Sequence, residues 1–141
     1  MPFTLRVRVA PEDVDELNHV NNLVYLRWVQ DAAVAHSDAV GLGLDAYLER
    51  KAAFVIRRHE IDYLRPALSG DEVDVQTQVA AVGPATAERR TEIRRASDGA
   101  VLARAMTLWA YMDLSNGRPV RIPADINARF PLEPYEDPKN R

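Results

Sequence analysis

The chain has 141 residues, of which 47% are hydrophobic and 28% are charged, and its formal net charge is -3. This length suits one domain with a substantial core, and the negative charge argues against a dedicated nucleic-acid-binding protein. The sequence contains no cysteine, no apolar run of the ~18 residues that a membrane span needs and no signal-peptide pattern, so we expect a cytoplasmic protein with neither disulfides nor thiolate sites.

The first predicted elements are a strand and a long helix. Residues 4–9 alternate between apolar and polar types, which indicates a half-buried strand. From about Leu23 to Val40 apolar residues occupy nearly every side, a pattern typical of a helix buried inside a domain. Glycines follow as stop signals, and Asp45 is placed to cap a short second helix over residues 45–51.

Four segments with a two-residue period follow, separated by turn residues. They span residues 52–64, 71–82, 85–96 and 100–114. In the first of them, the residues predicted to share one face are Val55, Arg57, His59, Ile61 and Tyr63. Tight turns between consecutive strands favour an antiparallel sheet over parallel strands joined by helices.

The predicted fold is therefore α+β, with a five-stranded antiparallel sheet wrapped around one long central helix. We expect a single domain over residues 1–141 with its core within about 4–130. Residues 131–141 are rich in proline and charge and are predicted to form a loosely held terminus.

The stretch DELNHVNNLVYLRW, Asp15 to Trp28, crowds polar residues in front of the apolar helix. A helix N-terminus attracts anions and polarised carbonyl oxygens, and an acid just upstream can serve there as base or nucleophile. Asp15 is the best-placed acid. From the chemistry alone, a turn or capping role for Asp15 stays open as the alternative.

No metal site and no cofactor are expected. The three histidines show no metal-ligand spacing, and His36 on the helix is interpreted as a hydrogen-bonded core residue. The GLGLDA segment matches a dinucleotide-binding glycine pattern only superficially, because it follows a helix instead of a strand.

The polar loop resembles the D-x-x-G-[HIV]-V-x-x-x-x-Y segment of hotdog-fold acyl-CoA thioesterases of the 4-hydroxybenzoyl-CoA thioesterase type. Asp15, Val20 and Tyr25 match the acid, the valine and the tyrosine of that pattern. A second segment, residues 61–79, resembles the strand–Pro–Gly–Asp–strand signature of the same family. Asn18 stands where the family has glycine, and asparagine tolerates the positive φ that such a turn needs.

The resemblance implies hydrolysis of an acyl-CoA thioester to free acid and CoA, with Asp15 as general base or nucleophile. It implies that Asn18, His19 and Tyr25 orient this acid or line the pocket. A core position for Tyr25 and a loop-fixing hydrogen bond for His19 are the alternatives.

The resemblance also implies the remaining parts of the site. Backbone N–H groups at Ala53 and Phe54 would stabilise the oxyanion. The arginines that would hold the CoA phosphates are Arg57, Arg58, Arg89 and Arg90. A solvated strand face is the alternative for each of them, and these contacts are the weakest part of what the resemblance implies. The expected assembly is a homodimer or homotetramer with active sites between subunits, and acyl-CoA is the expected ligand.

Two other functions remain open at this point. One is a non-catalytic acyl-CoA-binding module of the same fold. The other is an acyl-thioester hydratase or dehydratase in which His19 and Asp15 act together on the carbon atoms of the substrate.

Overall fold

The computed structural model describes residues 2–140, within which five strands and three α-helices are found. The strands are β1 (Phe3–Arg8), β2 (Ala52–Tyr63), β3 (Glu72–Val82), β4 (Thr86–Arg95) and β5 (Val101–Asp113), and the helices are α1 (Asn22–Ala39), α2 (Leu44–Arg50) and α3 (Ala124–Arg129). The predicted order of one strand, a long helix and four strands is confirmed. The sequence interpretation did not include α3.

All five strands form one antiparallel sheet in the order β1-β3-β4-β5-β2. The predicted five-stranded antiparallel sheet is therefore confirmed. Strand β2 lies at one edge of this sheet, and among the described residues its 12 residues pair with β5 alone. A long edge strand presents a row of backbone N–H and C=O groups that can pair with another chain.

Helix α1 packs its buried face against the inner face of the sheet. The buried residues of α1 are Val24, Tyr25, Trp28, Val29, Ala32 and Ala33, and their spacing of three and four residues places them on one side of the helix. They share a core cluster with inward-facing strand residues such as Val75 and Ile93. Burying each large apolar side chain here stabilises the fold by roughly 1.5–3 kcal/mol.

The opposite side of α1 is exposed, which corrects the expectation of a helix buried all round. Leu23 and Val34 on this side are 71% and 56% exposed. The sheet curls around one side of the helix only, so apolar residues on the other side meet no second layer within residues 2–140.

A bulge in β2 corrects the predicted strand face. Ile56 pairs with Trp109 and Arg58 pairs with Leu108, so Arg57 is an extra residue between them. An extra residue reverses the alternation of all side chains beyond it. Val55 and Arg57 are consequently exposed, whereas His59 and Ile61, predicted to share their face, are half-buried on the inner side.

The start of α2 also differs from the prediction. Gly43 is its N-cap residue, and Asp45 lies in the first turn without serving as the cap. An acidic residue in the first turn still favours the helix through the macrodipole.

The C-terminal segment makes more contacts than a loosely held terminus would. The amide of Glu133 donates to the carbonyl of Val79 (2.9 Å), and the Tyr135 hydroxyl donates to Glu92 (2.8 Å). Burial and the neighbouring Glu92 carboxylate raise the pKa of Tyr135 to about 12. The C-terminal segment is therefore attached to β3 at Val79 and to β4 at Glu92.

Among residues 2–140, no helix combines the length and the apolar character required to span a membrane.

Candidate active site

The polar loop before α1 closes on itself through backbone hydrogen bonds. The amide of Asp15 donates to the carbonyl of His19 (2.8 Å), and the amide of Asn18 donates to the carbonyl of Asp15 (3.0 Å). Asn18 has φ = 60°, the left-handed conformation that asparagine adopts more readily than most residues. Asn18 thus preserves the turn at a position where the resembled pattern has glycine.

The Asp15 carboxylate is held at one oxygen and open at the other. Its Oδ1 accepts hydrogen bonds from the amides of Leu17 (2.9 Å) and His19 (3.1 Å). Oδ2 accepts no hydrogen bond from the residues that the structure describes, and the side chain is exposed. The loop therefore fixes the orientation of this carboxylate through Oδ1. Oδ2 stays free to accept a proton or to attack a carbonyl carbon.

The nearby Asp13 is engaged in a different way. Asp13 is only 4% exposed, its Oδ2 accepts from the amide of Ala10 (3.0 Å), and its Oδ1 accepts from Arg27 Nη2 (3.0 Å). Removing one partner of such a pair leaves a buried charge uncompensated. Asp13 is thus a structural acid that ties the loop to α1.

Helix α1 begins with a side-chain cap. The Asn21 side-chain oxygen accepts from the amide of Leu23 (3.0 Å), and the amide of Val24 donates to the Asn21 carbonyl (2.9 Å). The amides of Leu23 and Val24 are therefore already hydrogen-bonded, so fewer N–H groups remain at this helix end for the anion binding predicted from the sequence.

Tyr25 occupies a core position next to the loop. It is 2% exposed, its hydroxyl accepts from the amide of Ala67 (2.9 Å), and its ring meets Trp28 edge-on. Burial raises the pKa of Tyr25. Tyr25 and His19 line a groove that also contains Asp15 and Tyr63; no hydrogen bond joins the Tyr25 hydroxyl to the carboxylate.

A separate, largely apolar cavity of about 350 Å³ lies at the other end of α1. Its wall includes Ala53, Phe54, Arg89, Trp109 and Phe130. This volume is in the range of small-molecule binding sites. Ala53 and Phe54 therefore border a cavity large enough for an acyl group.

The two halves of the predicted site lie far apart in one protomer. The groove with Asp15 adjoins Tyr63 at the end of β2, whereas Ala53 and Phe54 are at its start. Phe54 and Tyr63 are nine positions apart along the extended strand, which corresponds to about 30 Å. One protomer thus does not bring Asp15 together with Ala53 and Phe54.

The four arginines predicted to bind phosphate occupy three different environments. Arg57 and Arg58 are exposed on β2, and Arg58 pairs with Glu60. Arg90 is half-buried on the outer face of β4 and forms ion pairs with Glu88 (3.2 Å) and Asp137 (3.2 Å).

Arg89 differs from these three because it faces the helix. It is 6% exposed, and its Nη1 contacts His36 Nδ1 (2.9 Å) and Thr77 Oγ1 (3.1 Å). Burial and the adjacent guanidinium lower the pKa of His36 to about 4. The hydrogen bond expected of His36 is confirmed, but His36 is half-buried and is not a core residue. The sequence interpretation missed Arg89 as its partner.

Comparison with known proteins identifies the family. Residues 9–130 match the model of the Thioesterase-like superfamily. The acyl-CoA thioesterase YbgC of Haemophilus influenzae is 30% identical over 129 residues, covering 91% of this chain and 93% of that protein.

Two solved structures are also similar. A thioesterase from Thermus thermophilus, complexed with coenzyme A and Zn, is 31% identical with a TM-score of 0.77, covering 89% of this chain and 94% of that one. A 1,4-dihydroxy-2-naphthoyl-CoA thioesterase from Synechocystis shares the fold at 22% identity with a TM-score of 0.84, covering 92% of this chain and 95% of that one. The chain belongs to the Thioesterase-like superfamily and has the hotdog fold.

Proposed function

We propose that the protein hydrolyses an acyl-CoA thioester to the free acid and CoA, with Asp15 as the reacting carboxylate. The observation that carries this proposal is the Asp15 side chain, which is oriented through Oδ1 and open at Oδ2. In hydrolysis, the oxygen of water ends on the acyl carbon, the C–S bond breaks and the thiolate of CoA takes up a proton. Asp15 either removes the proton from the attacking water or attacks the carbonyl itself, forming an anhydride that water then opens.

We further propose that the working unit is a homodimer joined along the free edge of β2. Antiparallel pairing of two β2 strands about a two-fold axis near Arg57 and Arg58 would set Tyr63 of one copy against the start of β2 in the other. The Asp15 groove of one copy would then adjoin the apolar cavity of the second, which closes the gap of about 30 Å within a protomer.

In this arrangement each part of the site has a distinct role. The acyl group occupies the cavity, and backbone N–H groups near Ala53 and Phe54 stabilise the developing oxyanion. Arg57 and Arg58, which are exposed in the single chain, are the candidates for the CoA phosphates, whereas the ion pairs of Arg90 and the burial of Arg89 make those two weaker candidates.

Thiol release from a panel of acyl-CoA thioesters tests the reaction class. We expect turnover of at least one group among short, long, branched and aromatic acyl chains, with equal amounts of acid and CoA formed. Tight binding of these thioesters without thiol release would instead identify an acyl-CoA-binding module. Addition of water to crotonyl-CoA would identify a hydratase.

Complementation between two inactive variants tests the shared active site. Asp15→Asn removes the acid, and Ala87→Trp fills the cavity that Ala87 lines. When equal amounts are unfolded and refolded together, half of the dimers should be mixed and each should carry one intact site, which restores about a quarter of the wild-type rate.

Each variant refolded alone is the control and should remain inactive, with cooperative unfolding as evidence of folding. A mixture that stays as inactive as its components would show that both parts of the site come from the same copy.

A further inference from the structure

Arg89 places a positive charge in the wall of the apolar cavity. The residue lies on the inner face of β4 and is only 6% exposed. The described groups that contact its side chain are neutral: Nη1 contacts His36 and Thr77, and the guanidinium carbon lies 5.6 Å from the centre of the Phe130 ring. Nε and Nη2 make no hydrogen bond with residues 2–140.

No acid within the described part of the chain forms an ion pair with this guanidinium. The ion pairs that arginines form within residues 2–140 involve other arginines than Arg89. The charge of Glu133 acts on the neighbouring His36, where it opposes the lowering of the His36 pKa. Asp38 is the acidic residue in the cavity wall, and it is exposed at the rim. His36 carries no charge at neutral pH, because burial and Arg89 hold its pKa at about 4.

Burying an unpaired charge is costly, and proteins normally pair such a charge or use it to hold a ligand. The cavity around Arg89 is otherwise lined by apolar residues such as Leu42, Val79 and Ile126. A matching ligand has an apolar body that fills this space and an anionic group that meets the guanidinium. Arginine suits a carboxylate because its planar fork can donate two parallel hydrogen bonds.

We propose that the enzyme selects acyl groups that carry a second carboxylate at the end remote from the thioester, and that Arg89 binds this carboxylate. This proposal rests on the proposed function, since it takes the cavity as the acyl site. Hydrolysis of such a substrate releases a dicarboxylic acid and CoA.

The sheet geometry indicates how long the acyl group must be. Phe54 pairs with Tyr111 on β5, and Arg89 pairs with Thr107, so the two residues are separated by two strand spacings and four residues along the strand. These offsets place their Cα atoms about 16 Å apart, and part of this distance is spanned by the arginine side chain. A medium-length chain such as suberoyl therefore fits better than succinyl.

Matched pairs of thioesters test this specificity. Suberoyl-CoA and octanoyl-CoA differ in the terminal carboxylate, as do adipoyl-CoA and hexanoyl-CoA. Wild-type enzyme should have the higher kcat/KM for the dicarboxylic member of the longer pair. In Arg89→Met, which keeps an unbranched side chain but removes the guanidinium and its charge, the suberoyl-to-octanoyl ratio should fall by about 100-fold, because one partner of a buried charge pair is lost.

Two further variants separate this role from a structural one. Arg94→Met changes an arginine on the outer face of the same strand and should leave the ratio unchanged. Arg89→Lys keeps the charge but not the fork and should retain part of the preference. A wild-type enzyme that prefers octanoyl-CoA, or an Arg89→Met variant with an unchanged ratio, would overturn the proposal.

Binding of the free acids makes the test independent of catalysis. Calorimetry on Asp15→Asn protein should show tighter binding of suberate than of octanoate, and Arg89→Met in that background should abolish the difference. If no thioester is hydrolysed but suberate is still preferred, the proposed function fails and the Arg89 site stands. If thioesters are hydrolysed and suberate is not preferred, the Arg89 proposal alone fails.

Discussion

Replacement of Asp15 by asparagine should lower kcat/KM for the best acyl-CoA substrate by about 10²–10⁴-fold, the contribution typical of a catalytic acid or base. The replacement is nearly isosteric, and the amide oxygen of asparagine can still accept from the amides of Leu17 and His19. The loop should therefore keep its shape and its stability. The variant loses the negative charge and the basic oxygen of the carboxylate. The rate of thiol release at saturating and at low substrate concentration therefore reports the loss of catalysis and not a loss of folded protein.

Two comparisons make this experiment decisive. Asp15→Ala also removes the acceptor of two amides and should cost about 1–3 kcal/mol of stability in addition to activity. Glu16→Gln neutralises the neighbouring exposed acid and should leave the rate close to that of the wild type. Full activity in the Asp15→Asn protein would show that Asp15 is a turn residue and not the reacting carboxylate.

Replacement of Trp28 by alanine should lower the free energy of unfolding by about 3–5 kcal/mol, the range for truncating a large aromatic residue in a core. Trp28 is 1% exposed and packs edge-on against Tyr25 in the cluster that joins α1 to the sheet. Its removal leaves a cavity that the surrounding strands cannot close without losing their pairing. Urea denaturation at a fixed protomer concentration measures this change.

The matched control is Leu23→Ala on the same helix, where the side chain is 71% exposed. This change should cost less than about 0.5 kcal/mol. A loss below about 1 kcal/mol for Trp28→Ala would show that the packing between helix and sheet is less tight than the described core implies.

The elements of the fold followed from the sequence because each has a clear period. The apolar run from Leu23 to Val40 became α1 with its bounds shifted by one residue, and the turn residues separated the strands correctly. The β2 bulge was not predictable, since Arg57 is inserted without a glycine or any other local mark. Its position depends on the register with β5, which is a property of two strands together.

The site likewise contains one residue that the sequence singled out, Asp15, and one whose environment it did not predict, Arg89. Asp15 was predicted because an acid in front of a helix, within a segment that resembles the family pattern, can be identified in a single stretch of sequence; its catalytic role stays a prediction. Arg89 was grouped with Arg90 as a candidate for the CoA phosphates, although its two-residue spacing from Thr91 and Ile93 placed it on the inner face. This spacing could have identified Arg89 as an inner-face residue. That no described acid forms an ion pair with it depends on how the helices and strands pack together, which a single segment of sequence does not show.

The hydrogen bonds of the Asp15 carboxylate have a stereochemical consequence. In an isolated aspartate the two carboxylate oxygens exchange freely by rotation about the Cβ–Cγ bond, but here such a rotation would break the bonds from Leu17 and His19 to Oδ1. The loop therefore makes the two oxygens inequivalent. If Asp15 reacts as proposed, a proton or an acyl group gained at Oδ2 would remain on that oxygen, and both half-reactions of hydrolysis would take place at the same atom.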